Sequence, residues 1–186
     1  LYLNPPLIER LLDIILDFKL GLIHNFRERF GGMIHGVTMT DDWGTQQAAF
    51  ISVPMWRRFF RPRYEKLITA AHSAGMHFWL HSCGRVNELM PQFIELGLDV
   101  INLQQPRALG IEEIGRDFRG KICFETLVDI QATLPDGSET DIMEEAALLL
   151  EHWATPDGGF ILSDYDDSEA IQVSYDQKKK MFDAFK

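Results

Sequence analysis

His81 and Cys83 stand two residues apart at the end of an apolar run, Met76 to His81. Residues two apart on a strand project to the same face, so an imidazole and a thiol would emerge there together. Both suit zinc, which takes three or four protein ligands. Glu125, Asp164 or Asp166 could supply another from neighbouring loops. The competing account is a packed pair with no metal. Asp41 and Asp42 follow a second β-rich run and precede Trp43-Gly44-Thr45-Gln46. A carboxylate there suits a general acid, a cation ligand or an acceptor for substrate N–H groups. Neighbours on an extended chain alternate in direction, so one of the pair is expected to face a pocket. Asp next to Gly is also ordinary turn chemistry.

Those residues fall into place once the elements are read. Apolar residues at Leu7, Ile8, Leu11, Leu12, Ile15, Phe18 and Leu22 recur with helical period after Pro5-Pro6, and Gly31-Gly32 end that helix. Met33 to Met39 reads as a strand. One helix starts near Ser52-Pro54 and is closed by Gly75. Met76–His81 is the second strand, followed by a helix from about Val86 to Leu96. Asp99–Leu103, Lys121–Glu125 and Phe160–Ser163 are the third to fifth strands. Helices follow at Ile111–Phe118, from a Ser138/Asp141 capping box to Trp153, and from Ser174 to the end. Strands alternating with helices predict a parallel sheet with helical cover, as a doubly wound sheet or a barrel. No glycine-rich dinucleotide fingerprint follows any strand.

In parallel barrels the chemistry gathers at the C-terminal ends of the strands. The polar residues there are Asp41 and Asp42, His81 and Cys83, Gln104 and Gln105, Glu125, then Asp164, Asp166 and Asp167. Acids at those positions also cap the helices that begin there. Arg57, Arg58, Arg61 and Arg63 lie away from that rim and are expected to be solvated or paired with acids. The four tryptophans are expected in the core or in pocket walls.

A formal net charge of -10 repels phosphate backbones and argues against nucleic-acid binding. No apolar run is long enough for a membrane span. Two cysteines, Cys83 and Cys123, are too few for a disulfide scaffold, so a reduced, cytoplasmic protein is expected. The 186 residues form one domain, short of the roughly 250 of a closed eight-stranded barrel. The chain begins at Leu1, and the missing strands are expected upstream. Alone, five strands leave two unpaired edges, so a homodimer is expected.

Thr40-Asp41-Asp42-Trp43-Gly44-Thr45-Gln46 followed by Phe59-Phe60-Arg61-Pro62-Arg63-Tyr64 resembles the middle of uroporphyrinogen decarboxylase family proteins. So do Ala70-Ala71-His72-Ser73-Ala74-Gly75-Met76 leading to His81-Ser82-Cys83-Gly84, Gly97-Leu98-Asp99-Val100-Ile101-Asn102 with Gln105-Pro106, and Gly120-Lys121-Ile122-Cys123-Phe124 with Asp129 to Pro135. The resemblance runs from about Ile34 to the end. It implies an α/β (β/α)8 TIM-type barrel of which about the last five βα units are present.

It also implies two chemistries. One branch moves a methyl group between a corrinoid carrier and a thiol, with zinc held by His-x-Cys and a later cysteine. His81 and Cys83 match the motif. The later cysteine is replaced here by Ser163-Asp164-Tyr165-Asp166, so Asp166 is expected as the third ligand, with Asp41, Asp42 and Glu125 as catalytic candidates. The other branch decarboxylates uroporphyrinogen without cofactor, in porphyrin biosynthesis, but its Gly-His-Gly segment is absent here. The expected partner is a small tetrapyrrole or a corrinoid protein. A non-catalytic binding fragment is the third reading.

Overall fold

The computed structural model describes all 186 residues. Helix α1 (Pro5–Phe30) is entered through Asn4, whose side chain accepts from the Leu7 N–H, with prolines in its first turn. It buries Leu16 and Ile23 and leaves Leu7, Leu11, Ile14 and Phe18 exposed. Gly31 ends it at φ +57°, and a short 3-10 turn over Gly31–Met33 takes in Met33, expected in the first strand. Strand β1 (Gly36–Thr40) therefore starts later than the apolar pattern predicts.

The helix expected after β1 is two, α2 (Val53–Phe59) and α3 (Arg61–Ser73). Pro62 has no N–H to give to the carbonyl four residues back, so the ladder breaks there. Strand β2 (His77–His81) follows. Pro91 has the same effect on the next helix, α4 (Met90–Glu95), which begins four residues after the predicted start. Then come β3 (Val100–Asn102), α5 (Pro106–Leu109), α6 (Ile111–Phe118) and β4 (Cys123–Thr126). The turn-rich stretch after β4 holds α7 (Thr133–Asp136). Helix α8 (Glu139–Trp153) opens with the Ser138/Asp141 capping box, and β5 (Phe160–Leu162) and α9 (Tyr175–Ala184) complete the chain. Ser174 caps α9 by accepting from the Gln177 N–H.

All five strands are parallel and lie in sequence order, β1-β2-β3-β4-β5. A doubly wound sheet reverses its order at a switch point. Sequential order keeps every crossover helix on one face, as in a barrel wall. Burial bears this out. Phe78, Leu80, Ile101 and Phe124 are fully buried, with Trp56, Phe59, Phe93 and Trp153 of the helices. Each such side chain contributes about 1.5–3 kcal/mol. The alternate residues line the other, concave face. Thr40, His81, Asn102 and Glu125 pair across β1 to β4 as one row on that face.

The basic run is satisfied by acids and amides, not by a substrate. Arg58 and Arg63 reach Glu9 and Asp13 of α1, Arg61 reaches Glu95, and Arg57 donates to Gln92. No helix is long and apolar enough to cross a membrane.

Candidate metal centre and cavity

The loops that follow β1 and β2 touch backbone to backbone. The Gly44 N–H donates to the Cys83 carbonyl at 3.1 Å, and the Arg85 N–H to the Thr45 carbonyl at 2.7 Å. The Trp43 N–H donates to Ser82 Oγ at 2.9 Å. From the β3 side, Gln105 Oε1 accepts from the Gly84 N–H at 3.2 Å and from Gln46 at 2.8 Å. These bonds fix where Asp42 and Cys83 stand.

On that frame three donors converge. His81 Nε2 lies 3.3 Å from Cys83 Sγ and 3.6 Å from Asp42 Oδ1. One ligand atom from each of Asp42, His81 and Cys83 falls within 4.8 Å of the other two. Asp42 Oδ1 also accepts the Cys83 backbone N–H at 2.9 Å, which holds the carboxylate over the thiol. Burial and then the Asp42 charge push the Cys83 thiol up to about 11, so it is neutral near pH 7 without a cation. The other ring nitrogen of His81 is occupied by Asn102 Oδ1 at 2.5 Å.

A nitrogen, a sulfur and an oxygen donor, with the imidazole braced from behind by an amide, suit zinc. Three protein ligands also match catalytic rather than structural zinc sites, which keep a position open for a reactant. The residues thus fit the metal that the His-x-Cys spacing implies.

Asp41 and Asp42 point apart. Asp41 Oδ2 accepts the Tyr64 hydroxyl at 2.5 Å, with Lys19 at 3.8 Å. Tyr64 is buried and also accepts Trp43 Nε1 at 3.1 Å. Burial, with Asp41 beside it, raises the phenol well above its usual range. This arrangement anchors the end of β1 to α3. Tyr64→Phe removes a donor from half-buried Asp41 and an acceptor from buried Trp43, so a loss of about 2 kcal/mol is expected. That is about 4–8 °C in melting temperature for a chain of this size. Zinc affinity should be unchanged, since Asp41 is turned from the cluster. An unaltered melting curve would refute the anchor.

The inner face carries an open cavity of about 510 Å³, lined by Thr38, Thr40, Trp79, His81, Asn102, Gln104, Glu125, Ser163, Asp164 and Asp166. Glu125 is half-buried, and burial raises its carboxyl, opposed by the Trp79 and Asn102 side chains and by His81. Asp166 lines this cavity from the loop after β5 but stands outside the cluster of three donors, where Asp42 takes the third place. Asp164 is paired with Lys178 at 2.7 Å. Asn102, Thr38 and Thr40 were not among the candidates expected from sequence, whereas Trp79 stands in a pocket wall as expected. The signal for Asn102 was available: it lies two residues before Gln104, on the same side of an extended chain.

A family model described as uroporphyrinogen decarboxylase matches residues 1–164. No curated protein matches the chain. Among solved structures, a methyltransferase from Methanosarcina mazei superposes with a TM-score of 0.70 over 95% of this chain, at 18% identity. This chain spans 48% of that one, and at such identity the likeness carries the fold alone.

Proposed function

Because that model matches most of its length, the chain belongs to the uroporphyrinogen decarboxylase family, and on that premise we propose that it forms the zinc-binding half of a methyl-transfer site. The convergence of Asp42, His81 and Cys83 carries this reading. These three residues would hold zinc. Bound there, the metal would stabilise an acceptor thiol as its thiolate, the nucleophilic form. With a methylated corrinoid as donor, the acceptor sulfur would take the methyl group and the electron pair of the broken carbon–cobalt bond would stay on the corrinoid.

The protein's own residues supply the rest. Asn102 holds His81 in place. Glu125, two strands along the same row from His81, would take up the proton that the thiol gives up. Thr38, Thr40, Gln104 and Ser163 offer hydroxyl and amide groups to the polar part of the acceptor. The alternative, decarboxylation of a substrate with several carboxylates, finds less support. The cavity wall built by this chain holds Glu125, Asp164 and Asp166 and no Lys or Arg. Like charges there would repel such a substrate.

The test is zinc calorimetry on the gel-filtered chain, followed by methylcobalamin with a simple alkyl thiol. About one zinc per chain is expected, with methyl loss from the corrinoid only when zinc and thiol are both present. A folded chain that takes up no zinc, or metal-free carboxyl loss from uroporphyrinogen, would overturn the proposal.

A further inference from the structure

Asn102 stands between two titratable side chains. Its row neighbours are His81 on β2 and Glu125 on β4. The residue is only 7% exposed, and it lines the inner-face cavity. A primary amide has one accepting and one donating end. The accepting end, Oδ1, lies 2.5 Å from His81 Nδ1. A carbonyl oxygen cannot donate, so His81 must carry its proton on Nδ1. Its Nε2 lone pair then points at Cys83 Sγ and Asp42 Oδ1, 3.3 and 3.6 Å away.

We infer that Asn102 is the positioning residue of this centre: its amide oxygen fixes His81 as the Nδ1–H tautomer with Nε2 free toward Asp42 and Cys83. A neutral amide does this without adding a negative charge beside Glu125 and Asp42. The functional meaning of this arrangement rests on the zinc reading above, whereas its tautomer content does not.

The tautomer is read by 15N NMR of the metal-free full chain at pH 8, with His81 assigned by its absence in His81→Gln. Zinc affinity is measured in parallel. In the parent, His81 is expected as Nδ1–H. In Asn102→Leu the ring should mix tautomers, and zinc should bind 10–100-fold more weakly, the usual effect of losing such a brace. Asn102→Asp keeps an acceptor of similar size and should retain the Nδ1–H form. An Nε2–H ring in the parent overturns the inference, even if Asn102→Leu does not fold. So does a ring unchanged in a folded Asn102→Leu. If the tautomers behave as expected while the parent takes up no zinc, Asn102 keeps its positioning role and the zinc reading fails alone.

Discussion

Cys83→Ser is expected to weaken zinc binding by more than about 100-fold while leaving the metal-free fold nearly untouched. Thiolate is the softest of the three donors, and a serine hydroxyl ionises too reluctantly to replace it. The fold should survive because the loop is held by main-chain bonds. The Cys83 N–H reaches Asp42, its carbonyl accepts the Gly44 N–H, and the neighbouring Ser82 hydroxyl holds Trp43. All persist when sulfur becomes oxygen. Sγ itself lies against His81 Nε2 and close to the Asp42 carboxylate, not against the backbone that holds the loop. Thermal melting separates the two effects. Zinc at 100 times the parent's dissociation constant should stabilise the parent by about 2.7 kcal/mol. That is about 5–11 °C in melting temperature for this chain length. The variant should gain little at the same concentration, and a chelator should return the parent to the metal-free curve. A Cys83→Ser chain that binds zinc as tightly as its parent would place the metal elsewhere, or show that the three donors do not act together.

What could be read from the residues, and what could not, divides along the range of the interactions. The alternation of helix and strand is local periodicity, so a parallel sheet with helical cover was legible, as was the capping box of Ser138 and Asp141, while the choice of a barrel over a doubly wound sheet came from the family resemblance. The split of α2 from α3 and the late start of α4 were missed because the apolar stripes run on past Pro62 and Pro91. There the missing N–H outweighs hydrophobic patterning. His81 and Cys83 share a face by strand arithmetic alone. Asp42 joins them because its carboxylate accepts the backbone N–H of Cys83, 41 residues on. No spacing rule reports such a long-range contact. Asp41 looked equivalent to Asp42 in sequence, and what separates them is the buried hydroxyl of Tyr64, 23 residues away.

Gly84→Ala should be the most damaging small substitution in the chain, because the glycine is required twice over. Its φ is +74°, where side chains with a Cβ are strained. A Cβ there would also lie 2.4 Å from Gly44 C and O and 2.6 Å from Thr45 O, all of them backbone atoms. Gly44 is closed in the same way, its own Cβ position lying 2.6 Å from Arg85 N. Neither loop can yield without stretching the bonds from Gly44 to Cys83 and from Arg85 to Thr45. Strain at positive φ adds to an overpacked contact, so a loss of about 3 kcal/mol or more is expected. The melting temperature should fall by at least about 6–12 °C. Zinc affinity should fall with it, since Asp42 and Cys83 stand on the two loops being forced apart. Gly21→Ala is the matched control: it lies within α1, with nothing within 4 Å of a built Cβ. There alanine should stabilise the helix by roughly 0.5–1 kcal/mol. If Gly84→Ala melts within 2 °C of the parent and binds zinc as before, the two loops are not in the backbone contact that places Cys83 beside Asp42.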